Sequence, residues 1–94
     1  MATQTSFEYQ IELAEGIKSF LHGLQERLGI VSNGYMRQCD DLVNAGMMQE
    51  NWLKFTQDYA QVTYHKIASV VEQINECDIP FIEKYIAYLE SHPQ

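Results

Sequence analysis

Apolar residues recur along the first half of the chain in steps of three or four, the spacing that places side chains on one face of an α-helix. Gly29 and Gly34 lower helix propensity within this pattern, but the stripe keeps its phase across both. It therefore predicts a single helix over residues 6–45, with Thr5 and Glu8 at the spacing of an N-terminal capping box. The stripe consists of Phe7, Ile11, Ala14, Ile17, Leu21, Leu24, Leu28, Val31, Tyr35, Cys39 and Leu42.

A turn and a second amphipathic arm follow. Gly46 comes just after the stripe, and glycine most readily adopts the left-handed conformation that closes a helix, so we predict a turn at 46–47. Apolar residues then predict helices over 48–77 and 79–90. Because proline lacks a backbone N–H, we expect the second arm to be kinked or interrupted near Pro80.

Two arms of similar length joined by a short turn predict an all-α, antiparallel helical hairpin that forms one domain over residues 1–94. In such a hairpin residue i faces roughly residue 93 minus i, given the turn at Gly46. Cys39 and Cys77 are then too far apart along the axis for a disulfide. Since both lie on the apolar stripes, we expect buried free thiols.

The apolar face of the first arm is wider than the seam between two helices requires. It comprises Leu13, Ile17, Phe20, Leu21, Leu24, Leu28 and Val31. Two hairpins that enclose this excess would make a four-helix bundle, and we predict that assembly. Large aliphatic and aromatic side chains tend to carry interface energy. The predicted interface residues are Leu13, Phe20, Leu24, Trp52, Phe55, Tyr59 and Tyr85.

Charge and composition narrow the functions to consider. Six basic against thirteen acidic residues give a net charge of −7, which disfavours binding to nucleic acids or to acidic membranes. The sequence has neither a signal-peptide pattern nor a long apolar run, so we expect a cytoplasmic protein. If the protein is exported, we expect export without a cleavable signal peptide. Its three histidines, His22, His65 and His92, lack the helical pair spacings of metal ligands. We predict no enzyme activity, no catalytic or metal site and no cofactor.

The length, the acidic balance and a turn glycine at mid-chain, Gly46, resemble the WXG-type (Esx-like) helical hairpins of bacterial type VII secretion. Asn44 stands where that family has its turn tryptophan. Four residues after Tyr85 and Tyr88, where the family's export signal has an acid, this chain has Leu89 and His92. The resemblance implies a dimeric, secretion-associated hairpin, of the diverged or effector-companion kind, whose partner is a second copy or a related hairpin or effector.

Two other interpretations remain open. A small acidic cytosolic chaperone or adaptor would hold a partner's amphipathic helix in its groove. A polymerising building block would instead use a contact that does not close on itself, and would form filaments. The chaperone differs from the dimeric hairpin in remaining incomplete without another protein.

Overall fold

The computed structural model describes residues 6–92, and all its regular elements in that range are helical. These residues fall into two compact units. Unit 1 holds residues 6–25 and 72–92, and unit 2 holds Glu26–Val71. Thr5, and with it the predicted capping box, lies outside the described residues.

The first helix is long and unbroken, whereas the second arm is divided by two π-helical turns. In chain order the elements are α1 (Ser6–Asn44), α2 (Gln49–Phe55), a first π turn (Thr56–Ala60), α3 (Gln61–Gln73), a second π turn (Ile74–Asp78) and α4 (Ile79–Ser91). The all-α class, the single long first helix and the interrupted second arm are thus confirmed. The four-helix bundle stays a prediction.

The interruption near Pro80 is a widening of the helix. The N–H of Ile79 bonds to the carbonyl oxygen of Ile74, five residues back, and Asp78 keeps helical backbone angles (φ −68°, ψ −50°). Gln73 Nε2 donates to Asp78 Oδ1 at 3.1 Å across the same turn. A proline ring conflicts with the carbonyl four residues earlier in a regular α-helix. A π turn directly before Pro80 fits that requirement without ending the helix.

Unit 2 is a helical hairpin closed by a tight turn. The N–H of Ala45 bonds to the carbonyl of Asp41 at 2.9 Å, and that of Gly46 to Val43 at 3.1 Å. Gly46 has a φ of 108°, in the left-handed region that side chains rarely adopt. The buried residues of this unit are the small Ser32 and Ala60. Residues of that size allow two helices to approach closely.

Unit 1 pairs the first half of α1 with α4 in an antiparallel arrangement. Lys18 Nζ lies 3.1 Å from Glu83 Oε2, and the Tyr85 hydroxyl donates to Gln10 Oε1. The residue numbers of the two pairs sum to 101 and 95, eight and two more than the hairpin count predicts. The two π turns each accommodate one extra residue and shift the register in this direction. The buried apolar residues of this unit are Ala14, Ile74, Ile79 and Leu89.

The buried seam of α1 differs from the predicted stripe. Ala14 and Ser32 are buried and Leu21, Leu28 and Cys39 are half-buried, whereas the predicted stripe members Ile17, Val31 and Leu42 are exposed. Ile17, Val31 and Leu42 therefore lie outside the part of the apolar face that the second arm covers. The second arm covers only one side of a broad apolar face, and the covered residues include the small Ala14 and Ser32.

The cysteines are also placed differently from the expectation of two buried thiols. Both are free, but Cys39 is half-buried and Cys77 is exposed. Cys77 lies within the second π turn, where the added residue rotates the following side chains relative to the regular apolar phase. The sequence pattern, which assumes an uninterrupted helix, assigns Cys77 to the buried face.

Candidate interaction surface

One side of unit 1 carries large apolar side chains that the unit leaves exposed. We call this surface the open flank and define it by Leu13, Ile17, Cys77, Phe81 and Tyr85. A groove lined by Ile17, Cys77 and Phe81 runs along it, and a second groove is lined by Cys77, Phe81 and Tyr85. The two helices of unit 1 thus contribute to one continuous apolar surface.

Helical spacing explains why these residues share a side. Leu13 and Ile17 are four residues apart on α1, and Phe81 and Tyr85 are four apart on α4. The Tyr85 hydroxyl donates to Gln10 Oε1, which holds the edge of the tyrosine ring against α1. That bond fixes the aromatic ring at one end of the open flank.

The exposure of the open flank is large for core-type residues. Leu13, Ile17 and Phe81 are 51%, 50% and 58% exposed, and Phe20, one turn after Ile17, is 61% exposed. Single exposed apolar residues are ordinary on a protein surface, but a contiguous set of them marks an interaction site. The open flank is such a set.

The other side of unit 1 is polar. Lys18 and Glu83 form their ion pair there, and a groove beside it is lined by residues that include Glu15, Ser19 and His22. We call this surface the polar flank. Because its charged groups are already solvated or paired, docking an apolar partner there would cost desolvation.

The two flanks of unit 1 also differ in the charged residues that they carry. Glu8, Glu12 and Glu15 follow each other at steps of four and three, on the side of α1 away from Leu13 and Ile17. On the second arm, Glu76, Asp78 and Lys84 line the two grooves of the open flank. The open flank therefore has two carboxylates and one ammonium group at its edge, in a chain whose net charge is −7.

The structure divides the predicted interface residues between the units. In unit 1, Leu13, Phe20 and Tyr85 are exposed, and Leu24 is half-buried. The Leu13 and Tyr85 positions belong to the open flank.

In unit 2, Trp52 and Phe55 are half-buried on α2, and Tyr59 is exposed in the first π turn. Gly46, the predicted turn residue, occupies the turn between α1 and α2.

Sequence reasoning did not select Ile17, Phe81 or Cys77 as interface residues. Ile17 and Cys77 belong to the predicted apolar stripes, and Phe81 is one of the apolar residues whose spacing predicts the helix over 79–90. A π turn has no recognised sequence signal, so the rotation that brings Cys77 and Phe81 to the surface was not predictable from spacing. For Ile17, the signal was the excess width of the apolar face.

Two further findings apply to the described range, residues 6–92. No helix there is long and apolar enough to cross a membrane. In the same range, no cluster of three or more His, Cys, Asp or Glu side chains is arranged to hold a metal ion.

Comparisons with known proteins add no relative to these observations. No protein-family model, no curated protein and no solved structure matches the chain.

Proposed function

We propose that this protein is a non-enzymatic protein–protein interaction module whose open flank docks against the helices of another protein. The observation that carries this proposal is the exposure of Ile17 and Phe81 side by side in one groove. Burying apolar surface contributes about 25 cal/mol per Å², so an uncovered face of this kind favours association. The polar flank gives the unit a solvated side.

The kind of partner that fits best is another amphipathic helix or helical hairpin. The open flank extends along two antiparallel helices, and its ridges are spaced as helix packing requires. Two hairpins packed through such faces would enclose the excess apolar surface in a four-helix bundle. The chain length and the turn at Gly46 support the further proposal of a secretion-associated or effector-companion hairpin of the WXG type.

A second candidate is a chaperone or adaptor that holds a single partner helix. The groove between Ile17 and Phe81 favours it, because an amphipathic helix can lay its apolar side chains into such a groove. In both candidates the function is binding, and both use the open flank. They differ in whether one helix or two cover it.

Site-specific photo-crosslinking in the native cells tests the proposed function. With p-benzoylphenylalanine in place of Phe81, we expect covalent adducts with a protein, whether another polypeptide or a second copy. The control carries the same photoreactive residue in place of Ser19, which lines the polar flank of the same unit. We expect few adducts from that position.

Two outcomes would contradict the proposal. The first is the absence of protein adducts from position 81, and the second is an equal yield from positions 81 and 19. Mass spectrometry of adducts from position 81 then separates the two candidates. A single partner segment indicates a held helix, and two segments indicate a hairpin.

A further inference from the structure

We infer that the occupant of the open flank is a basic amphipathic helix of another protein, with Lys and Arg residues along the edges of its apolar face. This inference rests on the proposed function and names the chemistry of the partner. Its basis is the distribution of charge between the two units and the position of Asp78 within a groove of the open flank.

The negative charge of the chain is concentrated in unit 1. This unit has eight acidic and two basic side chains, whereas unit 2 has five acidic and four basic ones. Unit 1 therefore carries a net charge of −6 out of the total of −7. Because charges of one sign attract partners of the other sign to a surface, the open flank lies on the unit that favours a cationic partner.

Asp78 places one of these acidic groups in the groove between Ile17 and Phe81. It is half-buried, and it is the one charged side chain among the described residues that line this groove. Its Oδ1 accepts a hydrogen bond from Gln73 Nε2 at 3.1 Å, and no cationic side chain within residues 6–92 forms an ion pair with it. A carboxylate forms a stronger hydrogen bond with a cationic donor than with a neutral one. A Lys or Arg residue of a docked helix would supply such a donor.

The second groove of the open flank does not cancel the charge of Asp78. Glu76 and Lys84 both line that groove, so its one carboxylate and one ammonium group offset each other in net charge. The Asp78 carboxylate remains as the excess charge of the flank. Apolar side chains along one face of a helix fit such grooves, and the long stems of Lys or Arg reach from that helix to carboxylates at the groove edge.

The same charge disfavours other occupants of the open flank. A nucleic acid or an acidic lipid surface would bring further negative charge to unit 1. A second copy docked through the same flank would bring the acidic unit 1 of one chain against that of the other. A basic amphipathic helix is the occupant that matches both the apolar grooves and the charge.

Titrations of the purified full-length chain with two synthetic peptides test the inference. Both peptides are amphipathic helices of about 18 residues with the same leucine face, and the positions beside that face are Lys in one and Glu in the other. Lys and Glu have similar helix propensities, so the peptides differ mainly in charge. By fluorescence anisotropy we expect the Lys peptide to bind about tenfold more tightly than the Glu peptide.

A matched pair of variants tests the role of Asp78. Asp78→Asn removes the charge and keeps an oxygen that can accept the hydrogen bond from Gln73, so circular dichroism should show unchanged helicity. We expect it to weaken binding of the Lys peptide about two- to fivefold. Glu15→Gln removes one negative charge from the polar flank of the same unit. At about 150 mM salt, where the Debye length is about 8 Å, it should change the dissociation constant by less than about 1.5-fold.

The Cys77 thiol locates the bound peptide independently of charge. In a Cys39→Ser background, Cys77 is the single cysteine of the sequence, and it is exposed and lines both grooves. We expect saturating Lys peptide to slow the labelling of Cys77 by maleimide several-fold.

Four results of these measurements would overturn the inference: no binding of the Lys peptide, equal affinities for the two peptides, equal effects of Asp78→Asn and Glu15→Gln, or unchanged labelling of Cys77. The photo-crosslinked adducts from position 81 decide separately on the proposed function. Adducts with a second copy or with an acidic segment would refute the basic helix and leave docking at the open flank standing. The absence of protein adducts would refute both, whereas adducts with a helical segment rich in Lys and Arg would support both.

Discussion

Units 1 and 2 are both built from antiparallel helical segments, but their interiors differ in the size of the buried residues. Unit 1 buries Ile74, Ile79 and Leu89, whereas unit 2 buries Ala60 and Ser32. Large buried side chains stabilise through the apolar area removed from water. Small buried residues stabilise chiefly by letting helices approach and make dispersion contacts. The two units should therefore respond to opposite kinds of substitution.

The difference also extends to the surface. Unit 1 has one polar flank and one apolar flank, so its exposed apolar residues are concentrated on one side. Unit 2 exposes apolar residues on each of its α-helices, which include Ile30 on α1, Leu53 on α2 and Val70 on α3. A unit with large buried side chains can bind a partner through an exposed apolar surface and keep its own fold. This is the reason for proposing the open flank, and not the surface of unit 2, as the docking surface.

Removing volume from unit 1 should have the largest effect on stability. Leu89 is 2% exposed, and Leu89→Ala should lower the free energy of unfolding by about 2–5 kcal/mol, through lost burial and the cavity it leaves. Urea denaturation followed by circular dichroism, at one fixed protein concentration, measures this loss. The fixed concentration is needed because association would itself add to the apparent stability.

Ile30→Ala in unit 2 provides the control, since Ile30 is 65% exposed. We expect it to change the unfolding free energy by no more than about 0.5 kcal/mol. Equal losses from Leu89→Ala and Ile30→Ala would show that the aliphatic core of unit 1 is not the main source of its stability.

Adding volume to unit 2 should have the next largest effect. Ala60 is 1% exposed, and Ala60→Leu would force the helices of the hairpin apart at a cost of about 1–3 kcal/mol. The same denaturation measurement applies. Ala68→Leu is the matched control, because Ala68 lies on α3 of the same unit and is exposed. If both variants kept wild-type stability, the close packing at Ala60 would be disproved.

Much of this architecture is predictable from the sequence, because the apolar phase of α1 persists through Gly29 and Gly34. The turn glycine and the lengths of the arms locate the hairpin of unit 2 in the same way. These features depend on local propensity and spacing, which the sequence states directly. The excess width of the apolar face of α1 also predicts that the second arm alone does not cover it.

Other features depend on information that spacing does not contain. The polar Ser32 is buried while the apolar Ile17 is exposed, because the second arm covers only one side of a broad face. The sequence alone does not show which side of the apolar face of α1 the second arm covers. The two π turns likewise shift the register of α4 and bring Cys77 to the surface, and neither turn follows from residue spacing. The sequence thus predicts that an exposed apolar surface exists, but it does not show which residues form the open flank.

Glycine substitutions within unit 2 should have the smallest effects, and their signs should differ. A Cβ at Gly46 or at Gly34 would meet no atom within 4 Å, so backbone conformation alone decides each outcome. At Gly46, where φ is 108°, Gly46→Ala should cost about 1–2 kcal/mol. Gly34 lies within α1, and Gly34→Ala should raise the unfolding free energy by about 0.5–1 kcal/mol, because alanine loses less entropy in a helix. Urea titrations of both variants beside the wild type measure the two changes in the free energy of unfolding. If Gly46→Ala were stabilising, the turn would not require the left-handed conformation of Gly46.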